Sequence, residues 1–367
     1  MRLLVCAGAT GGGVYPALAV LQALGERVDE VLWVGVEGGM EKELVSRAGI
    51  PFRSIPAAGL HGVGLRALPG NLLRLFQGFV AARDVLRTFR PDVLFFTGGY
   101  VAVPVAVAGR RLPALAYVPD TEPALALKSV TRFVDRVAVT IEDSKKYFSP
   151  GKSVTVTGYP LRREVQSTQK EQAYQTFDLN PDKPLLLVTG GSLGARSINR
   201  TLMAILPEIL PEMQVIHVTG KLTWSEFEDE RAALPSELAA NYRTYPYLHS
   251  QKMAQAYAAA DLVVSRAGAS TLGEFPYFGL PAILVPYPHA WRYQKVNADY
   301  LVRQGAAVVL DDANLFEQLL PTIRAIMGNP SKREQMAVMM KSLAVPDAAD
   351  KIASLLLEMA AKQRGSV

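Results

Sequence analysis

Residues 3–24 read LLVCAGATGGGVYPALAVLQAL, and residues 185–206 read LLLVTGGSLGARSINRTLMAIL. Each opens on a short apolar run, passes through glycines and continues into a longer amphipathic stretch. That is the opening step of a βαβ unit, and meeting it twice predicts two halves with one plan. Further apolar runs, each closed by a turn, are read as strands at Glu30–Gly35, Val93–Gly99, Leu115–Pro119, Arg136–Thr140 and Ser153–Gly158. After a break they resume at Val215–Gly220, Leu262–Ser265, Ala282–Pro286 and Ala307–Leu310. So many strands overfill one sheet of ordinary size, and strands alternating with helices imply parallel pairing. The expected fold class is α/β, with two Rossmann-like domains, residues 1–160 and residues 161–344. Residues 159–184, rich in Gln, Lys, Asp and Pro, form the joint. The spacing of Ile352, Leu355, Leu356 and Met359 predicts a helix within the last segment, about 345–367, able to pack on either domain.

The composition narrows the function. At 367 residues, 49% hydrophobic and 20% charged, the chain has an ordinary globular balance and is long enough for two cores. A net charge of +5 without a run of five Lys or Arg falls short of a nucleic-acid signature. It suits an acidic membrane surface or a phosphorylated substrate better. A single cysteine, Cys6, excludes an internal disulfide and fits a cytosolic protein. The uncharged stretch from Leu3 to Gly25 is interrupted by four glycines and Pro16, so neither a membrane span nor a secretion signal is expected. Any membrane contact would be peripheral.

A glycine turn between a parallel strand and a helix presents backbone N–H groups at the positive end of a helix dipole, so its natural guest is a phosphate. The first turn, Gly8-Ala9-Thr10-Gly11-Gly12-Gly13, does not comply with the G-x-G-x-x-G dinucleotide fingerprint, and Glu37 alone is a weak ribose signal. The second, Thr189 to Arg196, adds the Ser192 hydroxyl as a donor. A third cluster, SRAGASTLGE at 265–274, places Glu274 about one helical turn in, where a carboxylate can accept hydrogen bonds from both hydroxyls of a ribose. The alternative reading of Glu274 is a solvated acid near a helix N-terminus. Gln294 and Asn297, three residues apart at a helix start, carry amides able to read sugar hydroxyls.

Taken together, GATGGGVYPALA, GGY at 98–100, GGSLGARSIN, SRAGASTLGE and the Gln294/Asn297 segment resemble the MurG family, the bacterial UDP-N-acetylglucosamine transferases that convert lipid I to lipid II. The likeness covers nearly the whole chain. It implies a GT-B fold, two Rossmann-like domains facing across a cleft, with UDP-GlcNAc held mainly by the C-terminal half as a co-substrate and no cofactor or metal. On that resemblance Thr10, Gly11 and Gly12 face the donor, Arg162 is the donor-binding arginine, and Ser192 with Gly191–Gly194 takes the diphosphate. Leu248 meets uracil through its backbone and Glu274 holds the ribose. Gln294 takes the sugar hydroxyls, and Thr121, Ala267, Gly268 and Ala269 complete the substrate-binding set. Three positions depart from the family pattern: Gly13 stands where a histidine is usual, Val118-Pro119-Asp120-Thr121 replaces HEQN, and Tyr293 replaces the first of two glutamines. All three fall near the reacting sugar or the acceptor.

The expected reaction is a single displacement with inversion, in which the amides and Arg162 stabilise departing UDP without a metal. Gly13 cannot accept the acceptor's proton. Asp120 is the first candidate base; Glu122 is the other local carboxylate, and either can instead cap the next helix. His289 is the runner-up, while His61, His217 and His249 have no supporting pattern.

Leu72, Leu73, Leu75, Phe76, Phe79 and Val80 form an apolar helical stripe beside Arg66, Arg74, Arg83, Arg87 and Arg90. From the pattern alone it reads equally as a core-facing helix or as an anionic-lipid contact. The resemblance favours the lipid, with a polyprenyl-linked acceptor at the cytoplasmic face of the cell membrane. Competing readings are a transferase for another lipid acceptor, a UDP-GlcNAc 2-epimerase, and a UDP-sugar-binding protein that has lost its base.

Overall fold

The computed structural model describes residues 1–8, 11–39, 41–59, 64, 68–191, 194–288 and 293–364. It divides into two compact units, Met1–Arg162 with Pro346–Val367, and Arg163–Val345. Among the described residues, thirteen strands form two wholly parallel sheets.

The first unit holds β1 (Arg2–Cys6), β2 (Glu30–Val36), β3 (Phe52–Ile55), β4 (Val93–Phe96), β5 (Ala114–Val118), β6 (Arg136–Val139) and β7 (Ser153–Val156). Their order across the sheet is β3-β2-β1-β4-β5-β6-β7. The second unit holds β8 (Leu185–Thr189), β9 (Gln214–Val218), β10 (Tyr242–Tyr245), β11 (Leu262–Ser265), β12 (Ala282–Leu284) and β13 (Ala307–Val309), ordered β10-β9-β8-β11-β12-β13. Both sheets reverse winding direction beside their first strand, between β1 and β4 and between β8 and β11. Open α/β sheets bind ligands outside the carboxyl ends of such neighbours, because the flanking loops part there. The glycine turns read from sequence follow β1, β8 and β11, so the topology sets them at these two reversals.

The central strands are buried on both faces, which explains their uninterrupted apolar sequences: β4 is VLFF and β5 is ALAYV, without an exposed residue. Strands β3 and β10 escaped the sequence reading. Both are four-residue edge strands, FRSI and YRTY, half open to solvent and therefore free to carry polar side chains. Cys6 lies wholly buried in β1, and burial first, then the charge of Glu41, pushes its thiol far up, so it is inert.

After the second unit the chain returns to the first. Ile352, Leu356, Met359 and Ala360 of the helix Ala348–Arg364 are buried in one cluster with Val14, Ala17 and Val20 of the helix Gly11–Leu24. Arg136 reaches Glu358 at 2.9 Å.

The helix Leu68–Phe89 buries Gly78, Ala82 and Val85. On its opposite face Leu72, Leu73, Phe76 and Val80 stand exposed, Phe76 at 64%. Leu75 and Phe79 are half-buried. The stripe thus splits between a narrow core seam and a broad apolar face open to solvent. Among the described residues no helix is long and apolar enough to cross a membrane.

Candidate active site

In the second unit, β8 and β11 are paired with Ser265 opposite Thr189, which sets the GGSLGAR turn and the RAGAST turn side by side at the carboxyl edge. The first of these closes through Gly194 N donating to Gly191 O at 3.0 Å, then runs into the helix Arg196–Ile209. Gly194 has φ +88°, and a Cβ there would collide with Thr219 O and stand 2.8 Å from Thr223 Oγ1. Glycine is what allows the turn to lie this close to the loop after β9. Ser192 and Leu193 lie outside the described residues, as do Thr10, His61, Arg66 and His289.

A buried polar chain holds this turn from beneath. Asn199 Nδ2 donates to Thr219 O at 2.8 Å and to Thr223 Oγ1 at 3.0 Å, leaving its Oδ1 to accept from His217 Nε2 at 3.0 Å. His217 Nδ1 must then accept from the Tyr242 hydroxyl at 2.7 Å, an assignment fixed by the network. Burial, reinforced by the charge of Arg231, pushes His217 down to about 3, so it stays neutral and keeps this tautomer. Burial also pushes Tyr242 up to about 12. No local pattern marks this network, because its members come from β9 and the loop after it, β10 and a helix, and meet only in the fold.

A second cluster ties four segments together. Arg266, nine-tenths buried, donates to Val285 O at 3.1 Å, to Asp312 Oδ1 at 2.5 Å and to Ser197 Oγ at 2.9 Å. Ser197 Oγ in turn donates to the same Asp312 oxygen at 2.7 Å. The guanidinium also lies 5.3 Å from the Tyr287 ring centroid. The first turn of the helix after β8 and the segments after β11, β12 and β13 therefore share one charge-assisted knot. Asp312 had no motif around it in the sequence.

Glu274 begins the helix Glu274–Phe278, half-buried, and accepts a hydrogen bond from the Tyr257 hydroxyl at 3.2 Å. Ala267 and Ala269 are buried, with Gly268 half-buried between them, and Gly268 O accepts from Thr271 N at 3.0 Å and Oγ1 at 2.7 Å. Leu248 is buried in the loop after β10. The two amides separate. Gln294 is half-exposed, and its Oε1 accepts from Tyr287 N at 2.9 Å. Asn297 is fully buried and donates to Ala267 O at 3.1 Å. Its enclosed amide thus supports the turn after β11, whereas the sequence reading offered it to sugar hydroxyls; an i, i+3 spacing does not reveal which of two amides faces inward.

In the first unit, the turn after β1 meets the loop after β4. Thr97 Oγ1 donates to Gly13 O at 2.7 Å, and a Cβ on Gly13 would stand 2.9 Å from Thr97 O. Glycine here permits close packing of helix on strand, and a side chain at this position would require the backbone to shift. Gly12 lies in the first turn of the same helix, with Gly11 at its start. Arg162, following β7, stacks its guanidinium 4.2 Å from the Tyr15 ring centroid, at the glycine end of that helix.

Asp120 is half-exposed in the loop after β5, next to buried Thr121 and Glu122. That loop is anchored by Thr140 Oγ1 donating to Pro119 O at 2.8 Å, while the Tyr117 hydroxyl donates to Thr140 Oγ1 at 2.8 Å and lies 3.3 Å from Gly158 O. Burial, with the Asp120 charge as a lesser cause and the Thr140 hydrogen bond opposing, pushes Tyr117 well up. The buried Glu41, accepting from Val36 N at 2.9 Å beside Gly8, was not singled out in the sequence. Among the described residues no three His, Cys, Asp or Glu side chains are grouped to hold a metal ion.

The glycosyltransferase family 28 N-terminal domain matches residues 3–138 and the glycosyltransferase family 28 C-terminal domain matches residues 185–352. A relative from Roseiflexus sp. (strain RS-1), named UDP-N-acetylglucosamine--N-acetylmuramyl-(pentapeptide) pyrophosphoryl-undecaprenol N-acetylglucosamine transferase, is 38% identical over 97% of this chain and 94% of its own. The crystal structure of MurG from Acinetobacter baumannii superposes with a TM-score of 0.76 at 26% identity, over 97% of this chain and 99% of that one. A UDP-GlcNAc 2-epimerase from Neisseria meningitidis shares the fold at a TM-score of 0.69 and 15% identity, over 98% of this chain and all of that one.

Proposed function

The chain belongs to glycosyltransferase family 28, and we infer that it transfers N-acetylglucosamine from UDP-GlcNAc to lipid I, undecaprenyl-pyrophosphoryl-N-acetylmuramyl-pentapeptide, making lipid II for peptidoglycan. The observation that carries the donor half of this reading is the pairing of β8 with β11, which sets two glycine turns side by side with Glu274 a few residues beyond. Main-chain amides at the first turn suit a diphosphate, and the Glu274 carboxylate suits a ribose diol.

In the proposed reaction the 4-hydroxyl of N-acetylmuramic acid attacks the anomeric carbon as the bond to the UDP oxygen breaks, inverting the centre. The hydroxyl proton passes to Asp120, with His289 the second candidate. The electron pair leaves with UDP, whose growing charge is met by the amide turn and by Arg162. Gln294 orients the sugar, and Leu248 and Ala267–Ala269 bound the base and diphosphate. Fixed donors of this kind make a metal unnecessary.

The acceptor is anchored in lipid, and the open face of the helix Leu68–Phe89 supplies the matching surface. Leu72, Leu73, Phe76 and Val80, with half-buried Leu75 and Phe79 beside them and Arg74, Arg83 and Arg87 flanking, would sit among acyl chains and anionic headgroups, giving a peripheral enzyme on the cytoplasmic side of the cell membrane. This exposed face favours a lipid acceptor over an epimerase, which needs none.

Incubation with radiolabelled UDP-GlcNAc, lipid I in anionic vesicles and excess EDTA is expected to yield labelled lipid. Replacing Leu72 and Phe76 with serine should slow transfer to vesicle-borne lipid I about tenfold or more, since each buried apolar side chain is worth about 1.5–3 kcal/mol. Transfer to a short-chain, water-soluble lipid I analogue should be unchanged. No labelled product from either acceptor would overturn the transferase reading, and equal loss on both acceptors would overturn the membrane role.

A further inference from the structure

A glutamate presented to a diol works only if its carboxylate is held in one rotation. The terminal torsion of glutamate is broad and nearly two-fold, so a half-exposed carboxylate left alone samples many orientations. Glu274 is not left alone. Tyr257, on the helix Ser250–Ala259, donates its hydroxyl to Glu274 Oε2 at 3.2 Å.

Tyr257 is itself immobilised. Only 8% of it is exposed, and its ring packs edge-on against Phe275 at 5.5 Å and tilted against Phe278 at 5.9 Å between centroids. Both phenylalanines belong to the short helix that Glu274 begins. Hydroxyl, carboxylate and helix are therefore referenced to one aromatic cluster, and the tyrosine reports the position of that helix directly to its first side chain.

We propose that Tyr257 is a positioning residue that sets the sugar specificity of the nucleotide site, fixing Glu274 so that it accepts from both hydroxyls of a ribonucleoside diphosphate and discriminates against deoxyribose. The proposal rests on reading Glu274 as the ribose acceptor. With one oxygen engaged by tyrosine, the carboxylate plane is set before the ligand arrives, and the diol meets a pre-oriented acceptor. Without that hydroxyl, the rotation must be frozen at the moment of binding. The cost then falls on ligands that use the carboxylate fully and spares those that do not.

The test is Tyr257→Phe, which keeps the ring and removes only the hydroxyl. Calorimetric affinities are measured for UDP, 2′-deoxy-UDP and 3′-deoxy-UDP, with the melting temperature as a check on the fold. The variant should bind UDP about five- to tenfold more weakly, as loss of one modest hydrogen bond implies. Its affinity for either deoxy analogue should change by less than about twofold, so the ribose-to-deoxyribose preference narrows. In a Glu274→Gln background the same substitution should have almost no further effect on that preference. An unchanged preference in Tyr257→Phe, whether all three ligands weaken equally or none does, overturns the proposal. A wild-type protein that binds UDP and the deoxy analogues equally well removes the ribose reading of Glu274 itself, a distinct failure visible before any variant is made.

Discussion

Gly194→Ala is expected to weaken UDP binding at least tenfold and to lower the stability of the second unit by about 2–4 kcal/mol, because a side chain at φ +88° costs about 1–2 kcal/mol before any clash is counted. The clash is with backbone: the added methyl runs into Thr219 O, which is already fixed by Asn199. Relief requires the turn to move away from the loop after β9, carrying its amides with it. Gly151→Ala is the control, since a Cβ there meets nothing within 4 Å, and it should leave stability nearly unchanged. Denaturant titration and calorimetry with UDP on both variants provide the measurement. Wild-type UDP affinity in Gly194→Ala would show that the turn does not hold the diphosphate.

The second large effect concerns proton removal. Asp120→Ala should reduce turnover at least about a hundredfold, the range over which a positioned general base contributes. UDP affinity should stay within about twofold, because Asp120 belongs to the loop after β5 in the first unit and the amide turn belongs to the second. Asp120→Asn should be as slow as Asp120→Ala, since size is retained but basicity is lost. Full turnover in either variant would remove Asp120 from the mechanism and move the role to His289 or Glu122. Placing a histidine at position 13 is not a simple remedy, because a Cβ there would stand 2.9 Å from Thr97 O and the backbone would have to shift.

The fold was readable because the strands that build it are buried on both faces and so spell themselves out as apolar runs. The exceptions, β3 and β10, are edges, where a strand needs no such sequence. Glycine turns were readable for a related reason: a turn that must approach another backbone or a ligand admits little else. The supports of the site were hidden. His217, Asn199, Thr219 and Tyr242 gather from 44 positions of sequence without any repeating interval, and Arg266 finds Asp312 across 46 residues. Their pairing is decided by strand order, which local patterns do not encode. Asn297 illustrates the converse, a residue in a recognisable motif whose amide faces inward to Ala267.

Direct titration of the wild-type protein with UDP in the presence of EDTA tests the central claim, that main-chain amides beside β8 grip a nucleoside diphosphate. Saturable binding at or below the millimolar range, much tighter than that of uridine alone, is the predicted result. The absence of any measurable affinity for UDP at millimolar concentration, or equal affinity for UDP and uridine, would contradict it.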